Sequence, residues 1–528
     1  MTRRHLQAAT KICGFWFLAA SPPCFAMAQA HAEVEPVHRS PAVAAHVDEE
    51  LIFVLQNEAR RLLSVHLEER GVLRSVNVAV SIETGKSTLI ADFGPGFLPG
   101  PDEGYAEMFL HTLANTFRHY AEQAGVVVHD VDFLFQGKPL EYYFPGDLAV
   151  PSPARANIQN QTALVSSSHG LVRVFPSRSW EYQRPLAFGF FEDMITPSYG
   201  DALQALLETR GGLAVSRARN RSLEAHPESD RPWEQMSSRY HLKALLPDRT
   251  DLWNELANST ARDREVTEDI RSRPNFANHL GVGGMISLHT NGHPLATVRG
   301  LEVYYHGDKP TDRPLAASVL CYMRELIRAQ PGYESFPIRD QPNAGRHGEN
   351  RIGTMPSVLV EIAYHSNADD SAALQDPVFR SASMKGVEKG HRLFTAQQPC
   401  QPLAIERVAD VEVPADSRGN VEVSFKGFPQ FPVRILTRNV HCPAGWTCRD
   451  GNVVVEEKME SPLVTTLGCW GGLAGILKWE TQLVDDDGVK SEWSAHQQEC
   501  LPGLRGGGAG GGADPRWPAT HAGGGTEA

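Results

Sequence analysis

The stretch MPSVLVEIAYHSN, residues 355–367, sets one acid inside an apolar run and then stops on Ser366 and Asn367. Val358, Leu359, Val360, Ile362 and Ala363 leave almost no polar face, the pattern of a strand covered on both sides in an α/β sheet. Glu361 sits in its middle. A carboxylate taken out of water without a partner is costly, so this acid must be half of an ion pair, reach solvent at a strand end, or be kept for chemistry. The strand alone leaves the three readings open.

Working outward, GGMISLHTNG (283–292) is a second apolar strand, Met285 to Leu288, delivering His289 to a turn at Asn291 and Gly292. Further upstream, TALVSSSHG (162–170) repeats the pattern and places His169 at a strand-to-loop edge, where open α/β sheets keep their ligand sites. Between them, Glu192 heads a segment whose Ala202, Leu203, Leu206 and Leu207 mark a buried helix face, closed by Gly211 and Gly212. Singly, each polar residue reads as structural. Together, His169, Glu192 and His289 supply three ligands to a tetrahedral Zn²⁺ and leave the fourth position for water, as catalytic zinc sites require.

The wider chain bounds these readings. Its 528 residues exceed one ordinary core and suggest about three domains. The balance of 50 Lys and Arg against 63 Asp and Glu gives −13, which argues against a nucleic-acid binder. Residues 1–30 read as a secretory signal: Arg3, Arg4 and Lys11 precede the apolar ICGFWFLAA, and Ala28 and Ala30 satisfy the small-x-small cleavage rule. No later run is long enough for a transmembrane anchor after cleavage. Cys13 and Cys24 leave with the signal, and the remaining Cys321, Cys400, Cys442, Cys448, Cys469 and Cys500 suggest disulfides in an exported protein. Cys442 with Cys448 closes a short loop and Cys469 with Cys500 is the natural second pair, although six cysteines allow fifteen pairings.

Residues 31–46 are rich in Ala, Pro and His and read as a tether, and residues 46–71 are ambiguous between one amphipathic helix and two short strands. Two strands joined by a turn at Thr84 to Lys86, a helix ending at Gly125 and a further strand follow. A Pro-rich joint, FPGDLAVPSPAR, precedes the alternating strands and helices of the middle region. Beyond Cys400 the strands alternate, the last pair turning on Asp-Gly, as in a small β-sandwich, immunoglobulin or fibronectin-like by analogy. Residues 501–528, with GGGAGGGADP, lack apolar content and are expected to be disordered. The fold class expected is multidomain: a central open α/β sheet flanked by a small α+β domain and a C-terminal all-β sandwich.

Two resemblances sharpen this outline. Residues 47–145, through LIADFGPGF, LANTF and VDFLFQGK, resemble the small GerM-type domain of sporulation and germination proteins. Residues 156–396 resemble the zinc-dependent N-acetylmuramoyl-L-alanine amidases of the type-3 family. The shared features are His169-Gly170, Glu192 opening a helix, Arg217 after the next strand, RSRPNFANHLGVGGMISLHTNG and MPSVLVEIAYHSNADD. By that resemblance His169, Glu192 and His289 bind Zn²⁺ and Glu361 is the catalytic acid/base. The substrate implied is peptidoglycan, cut at the amide between N-acetylmuramic acid and L-alanine, in the periplasm or outside the cell. A catalytically impaired wall-binding homologue and a zinc peptidase acting on envelope proteins are the alternatives, and an envelope-protein regulator is left open. The chain departs from the family in SSSHGL around His169, in the 192 − 169 = 23 positions to Glu192, and in the polar segment 219–241. On this outline residues 156–396 carry the chemistry, residues 401–500 form the sandwich, and the flanking domains serve localisation.

Overall fold

The computed structural model describes residues 41–72, 74–83, 87–100, 103–148, 150, 161–470 and 474–502. The expected signal, the turn at Thr84 to Lys86 and the Gly-rich tail from residue 503 lie outside these residues. The ambiguous first segment is a single helix, Pro41–Glu69, and it begins inside the expected tether. Leu51, Leu55, Ala59, Leu62, Leu63 and Leu67 are buried, and their spacing of three and four is the helical period, which outweighs the short apolar runs that could have served strands.

That helix and the helix Gly104–Gln123 belong to a three-stranded sheet in the order Val78–Glu83, Thr88–Phe93, Asp130–Phe135. The first pair is antiparallel and the second parallel. Phe93, Phe97, Phe109, Phe117 and Phe135 share its core. Apolar burial of rings on this scale is the main term holding so small a unit together.

The central sheet has six strands in the order Asn343–Ala344, Glu302–Tyr305, Ser357–Tyr364, Gly284–Asn291, Thr162–Ser167, Ala214–Arg217. All neighbours run parallel except Glu302–Tyr305 against Ser357–Tyr364. Every residue of Gly284–Asn291 and Ser357–Tyr364 is buried, as the near-continuous apolar runs required. The strand that carries His289 extends through Asn291, so this histidine lies within the strand rather than at the expected turn. Helix Pro377–Thr395 packs on helix Asp312–Arg328 at Gly386 and Gly390. A Cβ on either glycine would fall on the backbone of Met323 or Val319, so only glycine permits that approach.

From Ala404 to Cys500 the chain forms a three-stranded and a five-stranded sheet, with Val421, Val423, Val433, Ile435, Leu463 and Leu483 buried together. The disulfides are Cys321–Cys400, Cys442–Cys448 and Cys469–Cys500. Asp487, the aspartate of the Asp-Gly turn of the last hairpin, ties this region to the central one through Arg210 at 2.7 Å and Lys385 at 2.8 Å. No helix among the described residues is long and apolar enough to cross a membrane.

Candidate active site

Strand Thr162–Ser167 ends two residues before His169, which sits at φ +63° followed by Gly170 at φ +108°. Left-handed backbone is uncommon for residues with a Cβ and is held only where the surroundings demand it. Here they do. A Cβ on Gly170 would lie 2.6 Å from the Ser237 nitrogen, so glycine alone fits after this histidine. Asp193 accepts the Gly170 N–H at 2.7 Å and the Gln183 N–H at 3.1 Å, which pins both ends of the long loop leading to Glu192. Arg219 closes the loop from behind, donating to the carbonyls of Ser168 at 2.7 Å, Asp193 at 2.9 Å and Glu234 at 2.6 Å.

Glu192 is the first residue of helix Glu192–Thr209. Its Oε1 lies 3.4 Å from His169 Nε2 and 3.4 Å from His289 Nδ1, and it accepts hydrogen bonds from Ser168 Oγ at 2.8 Å and the Thr290 N–H at 3.1 Å. One ligand atom from each of His169, Glu192 and His289 lies within 4.8 Å of the others. All three side chains are buried. Both ring nitrogens of His169 lack any hydrogen-bond partner, and an orphaned buried polar atom costs about 1–3 kcal/mol. Coordination of a cation removes that cost, and two imidazoles with one carboxylate are the donor set of an open zinc site, so the residues fit Zn²⁺.

Behind the donors runs a charged relay. His289 Nε2 meets Glu349 Oε2 at 2.7 Å, Glu349 Oε1 accepts from Arg273 Nη1 at 2.5 Å, and Arg273 also pairs with Asp269. A carboxylate on the far nitrogen of a ligating histidine fixes its ring and directs its other nitrogen, here Nδ1, at the site. Burial opposes charge on His289, but Glu349 and Glu192 outweigh it and raise the imidazole to about 10, so cation uptake would displace a proton. Burial, reinforced by Arg184, holds His169 well below its ordinary value and keeps it neutral.

Glu361 pairs in register with His289 on the adjacent strand. It is 6% exposed, and its Oε2 has no hydrogen-bond partner. Among the described residues the basic group within ion-pair reach is His111, with Nε2 at 3.8 Å from Oε1. Burial pushes His111 down to about 4, so it brings no cation near neutral pH. Among the described residues no arginine or lysine pairs with this acid, and the cation that attracts it is His289 on the adjacent strand. Burial raises the Glu361 carboxyl to about 8, which suits a group that takes and returns a proton near neutrality.

The structure thus brings His169, Glu192, His289 and Glu361 together. Arg217 lies apart from them, bonded to Asp201 at 2.7 Å and Ser167 Oγ at 3.1 Å, and the buried arginine that supports the His169 loop is Arg219. His365 bonds Thr290 Oγ1 at 3.0 Å, and Asn367 caps the next helix by accepting from Asp369 and Asp370. Tyr304 is buried in strand Glu302–Tyr305 and donates to Glu302 at 2.6 Å. Glu349, Arg273 and His111 escaped sequence reasoning. Glu349 lies in a five-residue helix, Gly348–Ile352, whose GENRI has no periodic pattern to mark an inward acid. His111 lies on an amphipathic helix of another sheet.

Residues 235–391 match the protein family described as N-acetylmuramoyl-L-alanine amidase. The matched segment holds His289 and Glu361 and begins beyond His169 and Glu192. The chain is 26% identical over 196 residues to the N-acetylmuramoyl-L-alanine amidase Rv3717 of Mycobacterium tuberculosis, covering 36% of this chain and 78% of that protein. Among solved structures it is similar to the catalytic domain of CwlV, an N-acetylmuramoyl-L-alanine amidase from Bacillus (Paenibacillus) polymyxa var. colistinus. That similarity has 16% identity and a TM-score of 0.29, over 43% of this chain and 94% of that one. It is also similar to the CwlD amidase from Clostridioides difficile, solved in complex with the GerS lipoprotein, at 17% identity and TM-score 0.31, over 45% of this chain and 100% of that one. The family match and the mycobacterial relative support an N-acetylmuramoyl-L-alanine amidase.

Proposed function

We propose that this chain is an exported, zinc-dependent peptidoglycan amidase that hydrolyses the amide between the lactyl group of N-acetylmuramic acid and L-alanine of the stem peptide. The observation that carries the reading is the buried His169, Glu192, His289 set, in which the His169 ring makes no hydrogen bond and faces Glu192 at 3.4 Å, beside the unpartnered oxygen of Glu361. The substrate comes from the family matched over residues 235–391, and the three disulfides agree with an oxidising compartment.

Zinc bound by this set supplies a water acidified to a pKa near 7 and polarises a carbonyl oxygen. The chain's own work is proton handling and placement. Glu361 Oε2 would take a proton from the water whose oxygen bonds to the amide carbon and return it to the nitrogen as the C–N bond breaks, so that alanine leaves as a neutral amine. Glu349 holds His289 by Nε2, Ser168 Oγ and the Thr290 N–H hold Glu192, and Asp193 and Arg219 hold the backbone at His169.

The test is digestion of purified peptidoglycan with the full chain, read by mass spectrometry. Glycan strands with free muramoyl lactyl ends and intact stem peptides beginning at alanine support the proposal, as does loss of both on chelation and their return with Zn²⁺. Binding to the wall without products, by a zinc-loaded chain, marks an impaired homologue. Cleaved envelope protein with unchanged peptidoglycan marks a peptidase.

A further inference from the structure

Helix Gly104–Gln123 makes contacts on two faces. Phe109, Leu113, Phe117 and Ala121 recur every four residues and fill the core of the helix's own sheet. The other face carries Glu107, His111, Asn115, Arg118 and Glu122, again at helical spacing, and all of them bond to the central region. Glu107 Oε2 accepts the Gly348 N–H at 3.1 Å, His111 Nδ1 meets His347 Nε2 at 3.0 Å, and His111 Nε2 meets Asn291 Oδ1 at 3.1 Å. Asn115 Oδ1 lies 2.7 Å from Tyr304 OH, Arg118 Nη2 donates to the Ala344 carbonyl at 3.5 Å, and Glu122 pairs with Arg339 at 2.9 Å.

The contacts to Gly348 and Asn291 lead toward the metal donor His289. Gly348 opens the short helix whose next residue, Glu349, holds His289 Nε2 at 2.7 Å. Asn291 lies two residues beyond His289 on the same strand. Among the described residues, no hydrogen bond or ion pair from helix Gly104–Gln123 reaches His169 or Glu192. A plug would offer a ligand to the donor set, whereas this helix bonds to the groups that support it and brings His111 Nε2 to 3.8 Å from Glu361 Oε1. Space also remains between the two regions: a cavity of about 460 Å³ is lined by Glu107, His111, Arg118, Tyr304 and His347.

We propose that the N-terminal region completes the catalytic centre, with Glu107 and His111 as positioning residues that hold Glu349 and Asn291, and through them His289, in the geometry that binds zinc. This inference rests on the proposed function. Loss of an outer partner of a metal ligand lowers metal affinity or activity about 10- to 100-fold, which sets the expected scale.

The experiment compares the full chain with Glu107→Ala, Glu107→Gln and His111→Ala for zinc affinity by chelator competition, melting temperature, kcat and KM. Glu122→Gln, which touches neither Glu349 nor Asn291, is the control for general weakening of the interface. The expected result is zinc affinity down 10- to 100-fold in Glu107→Ala and His111→Ala, with kcat falling more than KM rises. Glu107→Gln keeps an accepting oxygen for Gly348 and should recover most of the loss, which a bulk folding defect would not show. Should Glu107→Ala fail to fold, His111→Ala and the control carry the comparison. Parental zinc affinity and kcat in both alanine variants overturn the inference, and so does a rise in activity, which would make the helix a plug. A parent chain that binds no zinc overturns the functional reading itself.

Discussion

Glu361 has no arginine or lysine partner among the described residues, and that distinguishes it from Glu349 and Glu302, which each pair with an arginine. Glu349 is held well below the usual carboxylate range, burial pushing it up but Arg273 and His289 outweighing it, and Glu302 is paired with Arg339 at 2.9 Å. Removing one partner of such a pair costs about 3–5 kcal/mol. Glu361→Gln removes no pair, so zinc content should persist and the melting temperature should stay level or rise, while turnover falls by roughly 10²- to 10⁴-fold. All three are measured on one preparation. Parental turnover in a zinc-loaded, folded variant would refute the catalytic role. Gly170 gives a second prediction at this scale. Gly170→Ala must place a Cβ against the Ser237 nitrogen at φ +108°, and should destabilise by about 2 kcal/mol or more, with weakened zinc binding, as read by denaturant unfolding and metal competition.

At the scale of elements, the strands of the central sheet were legible because two-sided burial writes itself as an apolar run, as in Ser357–Tyr364 and Gly284–Asn291. Helix Pro41–Glu69 was not, because short apolar runs do not distinguish helix from strand until a partner surface selects one face. That face holds His66, stacked on Phe109 with ring centroids 4.7 Å apart and edge-on to Phe97 at 6.0 Å. Burial, and then Arg70, lower His66 to about 4. The unfolded chain takes up its proton near 6.5 and the folded chain only near 4, so neutral His66 favours folding above 6.5 and this contribution falls as the pH drops from 6.5 to 4. Melting temperature against pH should fall less steeply across that window in His66→Phe than in the parent. Identical slopes would show that His66 titrates freely in the fold.

For the whole molecule, the disulfides differ in what they constrain. Cys321–Cys400 closes 79 residues and joins helix Asp312–Arg328 to the start of the C-terminal sheets, whereas Cys442–Cys448 closes 6. Chain entropy gives the longer loop roughly 4–5 kcal/mol and the shorter about 2 kcal/mol. Replacing both cysteines of the first pair with serine should therefore lower unfolding free energy more than replacing both of the second. Equal losses in denaturant titrations would assign the stabilisation to local packing instead. A denatured, unreduced chain should show no free thiol among these six cysteines. The regions flanking the central sheet were expected to serve localisation. Asp487 also anchors one to Arg210 and Lys385, and helix Gly104–Gln123 carries the other to the edge of the site.

By itself the sequence determined the strands of the central sheet and singled out His169, Glu192, His289 and Glu361, because a polar residue ending or interrupting an apolar run is visible in one dimension. It also determined that Gly follows His169 without saying why. The tertiary structure alone decided the rest. Whether Glu361 had a counter-ion depended on residues far away in the chain, and the nearby base proved to be His111, neutralised by burial. Glu349 became the support of His289 only when Arg273 was folded against it from helix Arg264–Leu280. Such partnerships follow from three-dimensional proximity and the low dielectric of the interior, and neither leaves a periodic mark along the chain.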